Sequence, residues 1–200
     1  EPGAPRAYSE VFPAVSTLPE LPIAWERTGF FFIGRWIANK GIEELLEAYA
    51  TAQLDRERWP LTLAGDGPLR PMVESLIAHH SLTTVRCPGF VSDEEKFALL
   101  GSAKWNVAPP HTREDLGLTP IEARHLAVPS IITCDGGLPE AAGPHALVAE
   151  PGDVATLRAR LEEAAAMPEE EYRRRALASQ AQLREFLRPM SEYQAIYRPL

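Results

Sequence analysis

The run Phe30-Phe31-Phe32-Ile33, closed by Gly34, constrains this chain more than any other feature. Consecutive apolar side chains point alternately to both faces of a strand, so both faces must be covered. The pattern recurs. Leu61-Thr62-Leu63-Ala64 ends at Gly65-Asp66-Gly67-Pro68, and residues 105–108 read as a further strand. Residues 129–133 lead to Gly136-Gly137, and shorter strands are expected at 84–87 and 146–149. Between them, apolar residues fall near helical spacing: Ile42, Leu45, Leu46, Tyr49 and Leu54, then Leu69, Met72, Val73, Leu76 and Ile77. Ser92 with Glu95 three residues on is a capping-box start for a helix to about residue 100. Residues 116–126 read as the next helix, and from Asp153 onward the chain is helical with breaks near Pro168 and Pro189. This alternation predicts an α/β fold, a Rossmann-like doubly wound parallel sheet.

Two hundred residues suffice for one full-sized domain. At 45% hydrophobic and 24% charged, disorder over the whole length is excluded. A formal net charge of −8 argues against broad nucleic-acid or anionic-membrane binding, which needs a basic face. It leaves room for a small phosphate site built from one or two basic residues. No apolar run is long enough for a transmembrane helix, and the first residues do not read as a signal peptide. The absence of an initiator Met points to a longer parent chain. Cys87 and Cys134 form no CxxC pattern, so neither a disulfide framework nor a metal site is expected, and a cytoplasmic location is. Both cysteines read as buried, inert thiols. Residues 1–28, with Pro2, Pro5, Pro13, Pro19 and Pro22, read as a lead-in or linker. Charges nearly balance over 158–188, which reads as a solvated helix face with i,i+4 pairs, and Arg173-Arg174-Arg175 is read the same way.

In open α/β sheets a ligand sits beyond the carboxyl ends of the strands. Four segments there stand out. Gly34-Arg35-Trp36-Ile37-Ala38-Asn39-Lys40-Gly41 carries an Arg and a Lys either side of a bend, a pair that suits a diphosphate, or else two solvated cations at a helix start. Glu114 and Glu122 flank Asp115-Leu116-Gly117-Leu118-Thr119, one just before a helix and one expected in its first turn. Gly117 permits close backbone approach, and the amides of Leu118 and Thr119 make an anion seat. Glu122 can accept two vicinal hydroxyls, as ribose offers. The competing account is that both acids complement the helix dipole. Asp135-Gly136-Gly137-Leu138-Pro139-Glu140 is a turn with Glu140 at the start of a short helix. Gly65-Asp66-Gly67-Pro68 fails as a dinucleotide fingerprint and suffices as a tight turn. His79 and His80 read as surface, His125 as packing, and His111 as a residue that can border the site.

Taken in order and spacing, these segments, with Gly89-Phe90-Val91, resemble the retaining glycosyltransferases of family 4, over roughly residues 29–165. The resemblance implies the C-terminal half of a GT-B glycosyltransferase: a linker at 1–28, a donor (nucleotide-sugar)-binding domain at 29–185 and a crossover helix at 186–200. Arg35 and Lys40, with the backbone at Gly34 and the amides of Leu118 and Thr119, would meet the donor diphosphate. Glu122 would hold the ribose hydroxyls. Glu114, with the backbone near Asp115, Leu116 and Gly117, would face the donor sugar, and Phe90 and Val91 would lie beside the base. Glu114, Arg35 and Lys40 would carry catalysis, without a metal or other cofactor. The donor would be a UDP- or GDP-linked sugar. The acceptor would sit on an N-terminal domain absent here, through which peripheral contact with the cytoplasmic face of a membrane is compatible. Where the family more often has Gly, this chain has Asp115 and Ala127. The first touches the donor-sugar wall; the second is expected to matter less. The apolar stripe Tyr193, Ile196, Tyr197 and Leu200 would dock on the absent domain. Two other readings stay open: a nucleotide-sugar epimerase of the same fold, and a nucleotide-binding module without transfer.

Overall fold

The computed structural model describes residue 18 and residues 21–112 and 117–187. Its strands are β1 (Phe30–Ile33), β2 (Leu61–Ala64), β3 (Val85–Gly89), β4 (Trp105–Ala108), β5 (Ser130–Thr133) and β6 (Leu147–Ala149). They form one six-stranded sheet in the order β3-β2-β1-β4-β5-β6, with every neighbouring pair parallel. The helices are α1 (Ile42–Thr51), α2 (Arg70–His79), α3 (Asp93–Ser102), α4 (Leu118–His125), α5 (Leu138–Ala142), α6 (Val154–Ala166) and α7 (Glu169–Phe186). A single 3₁₀ turn, Ala38–Lys40, precedes α1.

Period-two alternation divides the strand residues between two cores. Phe30, Phe32, Leu61, Leu63, Trp105 and Val107 face one side and are buried with residues of α1, α2 and α6. Phe31 and Ala64 face the other, against Leu100 of α3 and Ala123 of α4. α7 joins the first core through Tyr172, which lies against Trp105, and farther along its Leu183 forms a smaller cluster with Ile121 and Ala141. The central β1 is therefore covered on both faces, as its unbroken apolar run requires.

Pro88 lies inside β3, one residue beyond its expected end. β3 is an edge strand, and its register with β2 shifts between Thr62 and Ala64, so the missing amide hydrogen disrupts little. Leu54 falls outside α1, which ends at Thr51. α4 starts at Leu118, two residues later than expected, after Gly117 with φ +80°. The capping box forms as anticipated: Ser92 Oγ accepts from the Glu95 amide, while Glu95 accepts from the Ser92 amide.

Other expectations need correction. Cys134 is exposed, and Cys87 is half-buried. Arg173 makes the i,i+4 pair with Glu169 that a solvated helix face expects, but Arg175 also donates to the His145 carbonyl at 2.9 Å and so ties α7 to another element. Ala127 has φ +52°, a left-handed backbone that favours glycine and costs another residue about 1 kcal/mol. The departure from glycine there has a local conformational cost. Residues 188–200, with the Tyr193, Ile196, Tyr197 and Leu200 stripe, lie outside the described residues.

Candidate functional site

Strand order reverses between β1 and β4: from β1 the chain builds outward to β2 and β3, then returns to β4 on the other side. Diverging loops open a crevice at such a switch point. Here it is a cleft of about 310 Å³, walled by Gly34, Arg35 and Lys40 after β1, by Ala108 at the end of β4 and Pro110 just beyond it, and by Gly117, Leu118 and Thr119 at the start of α4. Leu138 of α5 closes its apolar side.

The β1 loop is held by its neighbour. The Gly34 amide donates to the Ala64 carbonyl, and the Trp36 amide to the Asp66 carbonyl at 2.8 Å. The Leu69 amide returns a bond to the Trp36 carbonyl. A Cβ at Gly65 would lie 1.9 Å from the Gly34 oxygen, so these two backbones approach as closely as only glycine allows. Trp36 is fully buried, with the Arg70 guanidinium 4.8 Å above its ring. The side chain of Arg35 is left exposed, with no hydrogen bond or ion pair among the described residues.

The 3₁₀ turn carries Lys40 to the opposite side of the bend. It is braced from β4: the His111 amide donates to the Asn39 carbonyl, and His111 Nε2 lies 2.5 Å from the Ala38 oxygen and 3.5 Å from Glu44. His111 therefore supports the turn; Pro110 beside it forms the cleft wall.

α4 turns its N-terminus to the cleft. Gly117 makes no side-chain cap, and the first turn holds no acidic side chain. The amides of Leu118 and Thr119 carry the positive end of the helix dipole to the cleft. Pro120, third in the helix, has no amide to satisfy. A Cβ at Gly117 would lie 2.5 Å from Leu138 Cδ2. The arrangement joins two cations and a helix N-terminus across one small cleft, which is anion-binding chemistry.

Phe90, Val91 and Glu122 are not among the residues that line the cleft. Phe90 and Val91 follow β3, two strands from β1. Phe90 is 90% exposed, and Val91 packs against the core that holds Phe31 and Leu100. Glu114, Asp115 and Leu116 lie outside the described residues. Glu122 is the fifth residue of α4 and not in its first turn. Its side chain is 13% exposed, with Oε1 2.7 Å from Lys96 Nζ. The dipole account therefore fails for Glu122.

Sequence reasoning missed Lys96 and Arg124. Burial pulls the Lys96 ammonium down, but its bonds to Glu122 and Asp93 outweigh this, and its pKa lies above the ordinary lysine value. Arg124 is 2% exposed, and donates to the Ser179 and Ala141 carbonyls. Burial lowers its pKa. Nothing in either residue's local sequence marks its burial, because Glu122 beside Lys96 and the Ser179 and Ala141 carbonyls beside Arg124 stand on other elements.

Among the described residues no cluster of His, Cys, Asp and Glu could hold a metal ion. No helix among them is long and apolar enough to cross a membrane.

Comparison with known proteins agrees with this geometry. Over 163 residues the chain is 32% identical to O-antigen chain mannosyltransferase B of Escherichia coli, covering 78% of this chain and 41% of that protein. The chain thus spans less than half the length of the curated relatives it matches. The fold is shared with Anabaena HepE in complex with UDP and glucose (TM-score 0.74, 18% identity, 86% of this chain and 47% of that one). It is shared too with the C-terminal domain of LpcC, a group 1 glycosyl transferase family protein from Francisella tularensis (TM-score 0.69, 19% identity, 80% and 87%). The six-stranded parallel sheet with its flanking helices thus matches the Rossmann-like fold of GT-B glycosyltransferase structures. The model of the family Glycosyl transferases group 1 matches residues 19–183, which takes in the whole sheet and every wall of the cleft, and the chain belongs to that family.

Proposed function

We propose that this chain is the donor-binding domain of a retaining glycosyltransferase of family 4, which transfers a hexose from a UDP- or GDP-linked sugar to an acceptor. The observation that carries the reading is the cleft at the β1/β4 switch point, which Arg35 and Lys40 line together with the N-terminus of α4. As the glycosidic bond breaks, negative charge grows on the leaving diphosphate. The Arg35 fork, the Lys40 ammonium and the amides of Leu118 and Thr119 stabilise that charge, with each charge-assisted contact worth about 1.5–3 kcal/mol. Glu122, one turn along α4 from the cleft, takes the ribose hydroxyls, and Glu114 faces the sugar. Phe90 and Val91 flank the base. No metal has a role in this scheme. The UDP bound to HepE supports the donor class. Retention of anomeric configuration follows from the family resemblance.

In the same reading, residues 1–28 lead in from an N-terminal acceptor-binding domain, 29–185 bind the donor, and the protein is cytoplasmic. This chain alone binds donor and does not transfer it, because one wall of the active site is missing and water is not excluded. Thermal-shift screening against UDP, GDP, ADP and their sugars tests the reading. A rise in melting temperature with UDP or GDP is expected, and no response to any nucleotide would overturn it. Joined to its N-terminal domain, the protein should form a product whose anomer, read by NMR, keeps the donor configuration. Interconversion of nucleotide sugars without an acceptor would instead identify an epimerase.

A further inference from the structure

Leu118 and Thr119 line the cleft, and Glu122 stands four and three residues further along the same helix face. One helical turn, about 5.4 Å, separates the phosphate seat from the Glu122 carboxylate. The segment Gly89-Phe90-Val91 feeds into α3, whose first turn the Ser92–Glu95 capping box holds. Lys96 follows at once. A cation near a helix N-terminus is opposed by the helix dipole, so local rules do not favour a lysine there. Its partner is tertiary: Nζ lies 2.7 Å from Glu122 Oε1, with both side chains largely buried, and 3.0 Å from the exposed Asp93. Glu122 Oε2 carries no hydrogen bond from the described residues.

We infer that Lys96 is a positioning residue for ribose recognition: it clamps Glu122 through Oε1 and leaves Oε2 aimed for the hydroxyls of a nucleotide. The inference rests on the reading of Glu122 as the ribose acceptor. A long, unclamped glutamate would lose rotamer freedom on binding, and the clamp removes that cost beforehand. The same contact ties α3, which follows the base-side residues, to α4, which carries the phosphate seat.

The test titrates wild type, Lys96→Met and Lys96→Arg with UDP and GDP and with their 2′-deoxy forms, by calorimetry. Wild type should prefer the ribonucleotide. Lys96→Met should bind it about tenfold more weakly, with a smaller loss for the deoxy form, so that the preference shrinks. Lys96→Arg should restore most of the preference. If Lys96→Met weakens both forms equally, or lowers only the melting temperature, Lys96 is a structural tie and the inference is overturned. If wild type binds both forms equally, Glu122 does not read ribose and the inference falls while the phosphate seat stands. A wild type that binds no nucleotide overturns the donor-site reading and this inference together.

Discussion

Leu138 of α5 covers Gly117 so closely that a Cβ on the glycine would lie 2.5 Å from Leu138 Cδ2, and Gly117 itself has φ +80°. The opening of α4 thus depends on a residue without a side chain. Gly117→Ala should cost about 2–4 kcal/mol through overpacking and backbone strain together. Urea denaturation reads this. Adding Leu138→Ala should relieve the steric part only. Full recovery in the double variant would remove the backbone argument.

Arg35 is exposed and has no partner among the described residues. Arg35→Ala should leave the melting temperature unchanged and weaken nucleotide diphosphate binding about tenfold or more. Calorimetry showing unchanged affinity would return Arg35 to the solvated surface.

The two glutamates should divide their labour. Glu122→Ala should weaken nucleotide and nucleotide sugar alike, by about 1–3 kcal/mol. Glu114→Ala should leave the bare nucleotide untouched and weaken the sugar form. In the complete enzyme it should lower turnover more than nucleotide binding. Identical behaviour of the two variants in both titrations sinks the assignment of this segment.

Arg124 joins α4 to α5 and α7 through the Ala141 and Ser179 carbonyls. Its removal strands buried acceptors, so Arg124→Ala should cost about 2–4 kcal/mol. Chemical denaturation should show this loss with little change in nucleotide affinity for the protein that remains folded. A variant as stable as wild type contradicts the account.

Glu169 is held below the ordinary carboxylate range, by the Arg173 hydrogen bond first and by that of Lys104 next. Its folded pKa is depressed, so the stabilisation is present above the unfolded value, about 4.3, and is lost as pH falls through the folded one. Its side chain is 48% exposed, so solvent screening limits the gain to about 1 kcal/mol or less. Glu169→Gln should be slightly less stable than wild type at pH 7, and the gap should close on acidification. A gap that persists at pH 2 would assign the effect to packing.

The strands were legible because their signals are local. Phe30–Ile33, Leu61–Ala64 and Trp105–Ala108 stand where the sequence pattern places strands, and the Ser92–Glu95 box caps its helix from within four residues. Charge and composition bounded the function for the same reason, since they need no geometry. The strand-end positions of Arg35, Lys40, Leu118 and Thr119 made them candidates, and folding decided that they wall one cleft. That depended on strand order, because the crevice exists only where β1 and β4 adjoin. Lys96 meeting Glu122 and Arg124 meeting Ser179 were invisible in the sequence. Each pair is 26 or more positions apart on separate helices, and periodicity carries no information about which helices become neighbours. The backbone at Ala127 was equally hidden, since a left-handed φ on a residue other than glycine is imposed by the packing around it rather than by the residue itself.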